Sequence, residues 1–312
     1  MTGQRGIALV LVLWVTVLLS VIVGSFTLVS RVETLQARNQ LDVTRAYFAA
    51  EAGLHRAVMA LSTRNPEQGW VPDGRAYEMT FGDAAVEIRV VDESGRIDLN
   101  AAQQQQLIDL FESTGVDTRE AEALADAVLD WRDPDDLVRP FGAEDREYES
   151  AGYEYGSKDA PFDTIEELQQ VIGMNYELYR RVEPAVTVYS GRSQVNLDRA
   201  PREVLLAQPG VDPELVDRYV AERERAGEDG QPGSLLPGQD PGGALARSGS
   251  LTYSVESRAT LPNGASTTLE AVIRLQASPA GRPFSIVRWK ENDFSSESPG
   301  SSEDGEGGNA DD

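Results

Sequence analysis

From Ile7 the chain runs apolar and uncharged to Val29, with Gly6 at the junction and a single basic residue, Arg5, in the stretch before it. A window of this length crosses a bilayer as a helix at about 1.5 Å per residue. The pattern then changes without a break. Arg31, Glu33, Arg38, Asp42 and Arg45 enter, while Tyr47, Ala50, Leu54, Val58 and Leu61 recur at spacings of three and four. Such spacing lines one stripe of a helix, and that stripe must bury against a sheet. No Gly or Pro cluster comes before Asn65-Pro66, so the pattern predicts one helix over Ile7 to Ser62, roughly 80 Å long. A secretory signal would have a shorter apolar region, about 7 to 15 residues, followed by a small-residue cleavage site. Here the run is longer and no Ala-x-Ala site follows. The plainer alternative is a signal anchor followed by an unrelated soluble helix.

Further along, the period shortens to two. Tyr77 to Phe81 and Ala84 to Asp92 flank Gly82-Asp83, and Leu251 to Leu261 and Ser266 to Gln276 flank Asn263-Gly264, a strong hairpin signal. A last strand is expected over Pro283 to Trp289. Between the hairpins, short helices are expected at Asn100 to Phe111, Glu120 to Trp131, Ile165 to Ile172, Glu177 to Val182, Pro201 to Ala207 and Pro213 to Arg225. Isolated strands on either side would not stand alone, so the simplest arrangement inserts an all-α unit (97–225) into a small sheet unit (65–96 and 250–290). The Gly- and Pro-dense segment 226–249 would be the return linker, and 291–312, without Lys or Arg, a disordered acidic tail.

The insert carries an internal repeat. Ile97-Asp98-Leu99-Asn100-Ala101-Ala102 matches Val195-Asn196-Leu197-Asp198-Arg199-Ala200, and each leads to a helix, a Gly-Val turn (Gly115-Val116, Gly210-Val211) and a second helix. A partial third copy runs through Ile165 to Val182 around Gly173-Met174. Asn100 and Asp198 suit helix N-caps. This is a helix-hairpin-helix pattern, whose turn often binds DNA phosphates. Here Glu112, Asp117, Glu120, Asp212 and Glu214 flank the turns and would repel them, which favours compact packing over nucleic-acid binding.

Charge and composition narrow the chemistry. The net charge of −24 opposes phosphate backbones, and no segregated basic face is visible. With no Cys, a disulfide framework, a thiolate zinc site and a Cys nucleophile are excluded. The single His, His55, lies near the helical stripe; a Ser-His-Asp triad or a multi-His metal site would have to be built around it, and no Gly-x-Ser-x-Gly elbow accompanies it, so the pattern favours a plain helix-surface or interface residue over hydrolase chemistry.

The most suggestive segment is Asp130-Trp131-Arg132-Asp133-Pro134-Asp135-Asp136, followed by Gly142-Ala143-Glu144-Asp145. Clustered carboxylates repel unless a cation or water separates them, and calcium takes six to eight oxygen ligands. The spacing is not that of an EF-hand. From the loop alone a calcium site and a solvated turn stand level. Glycosidase carboxylates would want an aromatic sugar platform, and only Trp131 and Tyr148 are near.

Gly6-Ile7-Ala8-Leu9-Val10 and Arg45-Ala46-Tyr47-Phe48-Ala49-Ala50-Glu51-Ala52-Gly53 resemble the processing site and helix of type IV pilin-like proteins. With the long helix, the sheet, the helical insert and Asp130-Trp131-x-Asp … Gly142-Ala143-Glu144-Asp145, nearly the whole chain except its acidic tail is similar to the minor pseudopilin K family of type II secretion systems.

The resemblance implies an α+β pilin-like fold, with prepilin peptidase cutting after Gly6, methylation of Ile7 and a leader of residues 1–6. It implies a single transmembrane pass (7–29) in the inner membrane of a Gram-negative bacterium, bulk periplasmic, with a long helix spanning 7–64. Most relatives carry Glu where this chain has Leu11, and that carboxylate neutralises a neighbour's N-terminal amine; a subunit with nothing above it needs none. The assembly helix would act through Leu11, Tyr47, Leu54 and Val58. Calcium would be held by Asp130, Asp133, Asp136, Glu144 and Asp145. Minor pseudopilins I and J, the pseudopilus and the inner-membrane platform would be the partners, with no nucleic acid and no catalysis. The rivals are a membrane-tethered DNA receptor of an uptake system, a minor pilin of a type IV pilus, which usually keeps Glu at this position, and a membrane-anchored enzyme.

Overall fold

The structure, a computed structural model, describes residues 5–63, 69–229, 251–275 and 283–292. In chain order its elements are α1 (Arg5–Ser62), β1 (Asp73–Phe81), β2 (Ala84–Asp92), β3 (Ile97–Asp98), α2 (Gln104–Ser113), α3 (Thr118–Arg132), α4 (Asp145–Ser150), α5 (Tyr176–Val182), β4 (Val186–Thr187), α6 (Arg202–Leu206), α7 (Pro213–Asp229), β5 (Thr252–Thr260), β6 (Ser266–Leu275) and β7 (Phe284–Asn292).

The helix α1 is unbroken, and its two halves meet different surroundings. Leu11, Leu13, Trp14, Leu18 and Phe26 all stand exposed, in a window long and apolar enough to cross a membrane. The few hydroxyls there bond back to the helix: Thr16 donates to the Leu13 carbonyl at 2.8 Å, Ser20 to Thr16 at 2.8 Å and Thr27 to Val23 at 2.7 Å. No hydroxyl among these is left unsatisfied in hydrocarbon. Beyond Asp42 the helix buries Ala46, Ala49, Ala50, Leu54, Ala57 and Val58 against the sheet. Tyr47 and Leu61, expected on the buried stripe, lie at its margins and are only partly covered. The small residues decide this, because the helix axis settles where the side chains are shortest.

The sheet is antiparallel, ordered β1-β2-β5-β6-β7. Strict alternation along β2 sends Ala84, Val86, Ile88 and Val90 toward α1 and Glu87 and Arg89 to the other face. The β5–β6 hairpin closes at Asn263-Gly264, where Gly264 sits at φ +86°, and Asn263 Nδ2 donates to Asp42 Oδ2 at 2.7 Å, tying the turn to α1.

The insert between β2 and β5 has its own core, built on Leu107, Phe111, Leu124, Val128, Leu178 and Leu205, which shares no buried residue with the helix–sheet core. Its strands β3 and β4 pair in parallel through Ile97↔Val186 and Asp98↔Thr187. The two copies of the repeat open with the same turn. Asp98 Oδ1 accepts the Asn100 amide at 2.9 Å, and Asn196 Oδ1 accepts the Asp198 amide at 3.2 Å.

This corrects the expected caps. The first Asx of each copy shapes the turn, and Asn100 instead clasps the Phe162 backbone through both its amide oxygen (2.7 Å) and nitrogen (2.9 Å). So α2 starts later than expected, at Gln104, where Gln106 accepts the Gln103 amide at 2.9 Å, and α3 is capped by Asp117. Residues Ile165–Gln170 form a 3₁₀ turn rather than an α-helix, wound tightly after Thr164 with Glu167 accepting its amide at 3.1 Å.

Several boundaries also move. The helix α1 begins at Arg5, inside the expected leader, since Gly6 alone does not stop an apolar helix. α7 continues to Asp229, into the expected linker, whose remainder lies outside the described residues. β7 extends through Asn292 because Glu291 and Asn292 still find ladder partners in Leu269 and Thr268. The rest of the expected acidic tail, from Asp293, lies outside the described residues.

Gly53 sits where α1 comes nearest to the sheet, and a Cβ there would stand 2.8 Å from Val86 Cγ1 and strike Ser257 Oγ. Gly53→Ala is expected to cost about 1–3 kcal/mol in denaturant unfolding. Gly24→Ala, with nothing within 4 Å, should be neutral in the same measurement.

Candidate functional site

Two places carry the candidate chemistry. The first is the start of α1. Gly6 and Ile7 lie within the helix, and Leu11 is 62% exposed on an apolar surface with no carboxylate nearby in sequence. Lower on the same helix, Leu54 and Val58 are buried in the sheet contact. A fully covered Leu contributes about 2–3 kcal/mol. His55 is exposed, with its ring edge-on to Phe284 at 6.0 Å, a helix-surface contact.

The second is the acidic loop after α3. The last turns of α3 point Asp126 and Asp130 inward, where an isolated carboxylate would be costly. Each is answered. Asp126 accepts Gln104 Nε2 at 2.5 Å and the Phe141 amide at 3.2 Å. Asp130, with 0% of its side chain exposed, takes the Arg139 guanidinium on Oδ1 and the Arg139 amide on Oδ2 at 3.2 Å. The same guanidinium reaches Asp133 Oδ2 at 2.5 Å. Arg139 therefore pulls the loop back over the end of the helix.

Two glycines allow the close packing. At Gly142 a Cβ would collide with the Asp130 carboxylate, and at Gly156 one would collide with that of Asp145.

Glu144 completes the cluster. It is 6% exposed; its Oε2 accepts the Ser157 hydroxyl at 2.5 Å, and that hydroxyl also lies 2.8 Å from Asp159 Oδ1. Its Oε1 is buried without a partner, and so is Asp133 Oδ1. Burial first, then the charges of Asp130, Asp159 and Asp133, push Glu144 up to about 7 against the pull of the Ser157 hydrogen bond. Asp159 holds φ +53°, a strained conformation for a residue with a side chain.

Of the expected ligands, Asp130 and Asp133 are joined by Arg139, and Glu144 lies within their field. Asp145 is exposed on α4 beside Gly156, and Asp136 is exposed, with no contact among the described residues tying it to the others. No group of three or more His, Asp or Glu side chains stands ready-made to hold a metal ion among the described residues. The spacing gave no sign of Arg139, Ser157 or Asp159, because two of them arrive from a loop that only tertiary packing brings back. Trp131 and Tyr148 are buried in the insert core and offer no sugar platform.

A membrane-length helix continuing as the spine of an antiparallel sheet, with a helical insert above it, defines a membrane-anchored protein of mixed helix and sheet. Residues 87–191 match the family model described as type II secretion system (T2SS), protein K. The type II secretion system protein K of Klebsiella pneumoniae is 30% identical over 230 residues, 65% of this chain and 69% of that protein. Its counterpart from Pectobacterium carotovorum subsp. carotovorum is 26% identical over 204 residues, 59% and 62% of the two chains. A chain in the crystal structure of the GspK-GspI-GspJ complex from the enterotoxigenic Escherichia coli type 2 secretion system shares the fold. Its TM-score is 0.59 at 19% identity, covering 83% of this chain and all (100%) of that one. The chain belongs to the type II secretion system protein K family, and is thus a minor pseudopilin. A DNA-uptake receptor and a type IV pilus subunit are not favoured.

A carboxyl held near 7 in the fold, against 4.5 ordinarily, binds its proton more tightly folded than unfolded. In chelator, stability is therefore expected to fall as pH rises from about 4.5 to about 7. Glu144→Gln should flatten that slope in urea titrations taken at stepped pH.

Proposed function

We propose that this minor pseudopilin, in an α+β pilin-like fold whose insert is built from helix-hairpin-helix-like repeats, sits at the tip of the type II secretion pseudopilus. There it initiates and caps the filament that exports folded proteins across the outer membrane. The observation that carries this reading is the continuity of α1: one helix is exposed and apolar along its first half and clamped to the sheet along its second. Displacing that helix along its axis moves the whole sheet with it, so the element anchored in the inner membrane is also the element that transmits force.

Leu11 supports the tip position. In a hydrocarbon filament core, a subunit with a carboxylate there would neutralise the amine of the subunit above. A capping subunit has none above it, and the insert, seated beyond the sheet, would block further stacking. Minor pseudopilins I and J are the proposed partners. The E. coli relative of similar fold was solved in complex with GspI and GspJ, which supports this pairing. Prepilin peptidase would free Ile7, and the role is structural, with no catalysis.

The acidic loop is the proposed place for a calcium ion. Asp133 Oδ1 and Glu144 Oε1 are buried acceptors without donors, in a cluster whose mutual repulsion raises Glu144. Asp130, Asp133, Glu144 and Asp145 would hold the ion, with Asp159 at hand. When bound it supplies positive charge that offsets their repulsion. Asp145, though exposed, lies against Gly156 beside the 157–159 loop, whereas Asp136 has no contact among the described residues tying it to the others and is left out of this set. The chain's own residues bring the 133–144 loop and the 157–159 loop to the same place.

Mass spectrometry of the protein from its native membrane should read a methylated Ile7 at the N-terminus; an intact Met1, or cleavage beyond Val29, would overturn the assignment. Calcium is expected to raise the melting temperature relative to chelator, by several degrees for about 1–2 kcal/mol of linkage. Glu144→Gln should abolish most of that rise.

A further inference from the structure

Two carboxylate oxygens of the acidic loop, from different residues, converge on a single nitrogen. Arg139 Nη1 donates to Asp130 Oδ1 and, at 2.5 Å, to Asp133 Oδ2, while the Arg139 amide donates to Asp130 Oδ2 at 3.2 Å. The Asp130 side chain is 0% exposed, so without a cation beside it a buried charge would stand uncompensated. The guanidinium is a monovalent counter-ion built into the chain.

It answers only part of the cluster. Asp133 Oδ1 and Glu144 Oε1 stay buried without a hydrogen-bond partner. Glu144, 6% exposed, lies close enough to Asp130 and Asp133 to feel the charge of both. A guanidinium donates from a planar head in fixed directions, so it does not reach oxygens arrayed on several sides. A calcium ion does, because it takes six to eight oxygens in a flexible shell at about 2.3–2.6 Å. Arg139 Nη1 stands within that range of Asp133 Oδ2, so the ion and the nitrogen compete for one position. Two cations crowded onto the same pair of oxygens would repel each other.

We propose that Arg139 is the resident counter-ion of this site and that calcium displaces it, so that Arg139 sets how tightly the loop holds the ion. The inference rests on the calcium reading given above. Asp130 and Asp133 exchange the guanidinium for the metal, and Arg139 leaves toward solvent, where 32% of its side chain is already exposed. In the metal-free protein the same contacts keep the carboxylates from driving the loop apart. The exchange breaks charge-assisted hydrogen bonds, so calcium binds more weakly than it would to the carboxylates alone. An Arg139 that merely gathered the ligands would give the opposite sign, since its loss would then weaken calcium binding.

The test is calorimetric titration of calcium into the metal-free full chain in detergent. Arg139→Ala is expected to bind calcium about tenfold more tightly than the parent, or better. Arg139→Lys, which keeps the charge without the planar fork, should fall between the two. Circular dichroism in calcium checks that both variants are folded, and the lysine exchange keeps a cation beside Asp130 in the metal-free state. Methylguanidinium should refill the place vacated in Arg139→Ala and weaken its calcium binding, with little effect on the parent at ionic strength matched by sodium chloride. If the parent binds calcium and neither variant binds it more tightly, or if methylguanidinium leaves Arg139→Ala unchanged, the proposal is overturned while the calcium reading stands. If neither the parent nor the variants bind calcium, the calcium reading itself falls, and this inference with it.

Discussion

Everything else in this molecule rests on the close contact of α1 with the sheet. A face of Ala46, Ala49, Ala50, Gly53 and Ala57 lets the helix approach until Val86, Ile88 and Leu269 fill the space between. The contact is close, and it lies on the same uninterrupted helix whose other half is long and apolar enough to cross a bilayer. Membrane anchorage and the orientation of the folded domain are therefore one mechanical element. A flexible joint at Gly24 would uncouple them, but the helix passes through it because apolar neighbours on both sides keep the backbone hydrogen bonds favourable in lipid.

The insert is organised by a different principle. It has a separate core and meets the sheet through polar contacts such as Arg288–Glu166 and Ser254–Glu93. Polar contacts of this kind fix geometry more than they add stability. The acidic loop shows the same economy. Arg139 neutralises Asp130 and Asp133 from within, yet Glu144 remains in a field of like charge with one oxygen unanswered. In both places carboxylate oxygens lie buried without a hydrogen-bond partner.

Much of this was legible in the chain. The run from Ile7 to Val29 and the stripe through Ala50, Leu54 and Val58 announced a helix with two environments, and Asn263-Gly264 announced its hairpin. Other features misled. Asn100 looks like a cap because Asn caps helices, but its side chain was claimed by the Phe162 backbone, 62 residues away. Asp136 looked equivalent to Asp133, since sequence spacing does not say which carboxylate faces inward once Arg139 folds the loop.

What the sequence determined by itself was local and periodic: where the helix runs, which strand residues alternate, and where a turn must form. These depend on dihedral preference and hydrophobic period within a few residues, so the chain states them directly. Only the tertiary structure decided which charges meet. Glu144 found Ser157 and Asp159 through a return of the chain that brings the 157–159 loop back beside the start of α4. Coulomb energy depends on distance in space and on the water removed, and neither quantity is written in the order of residues.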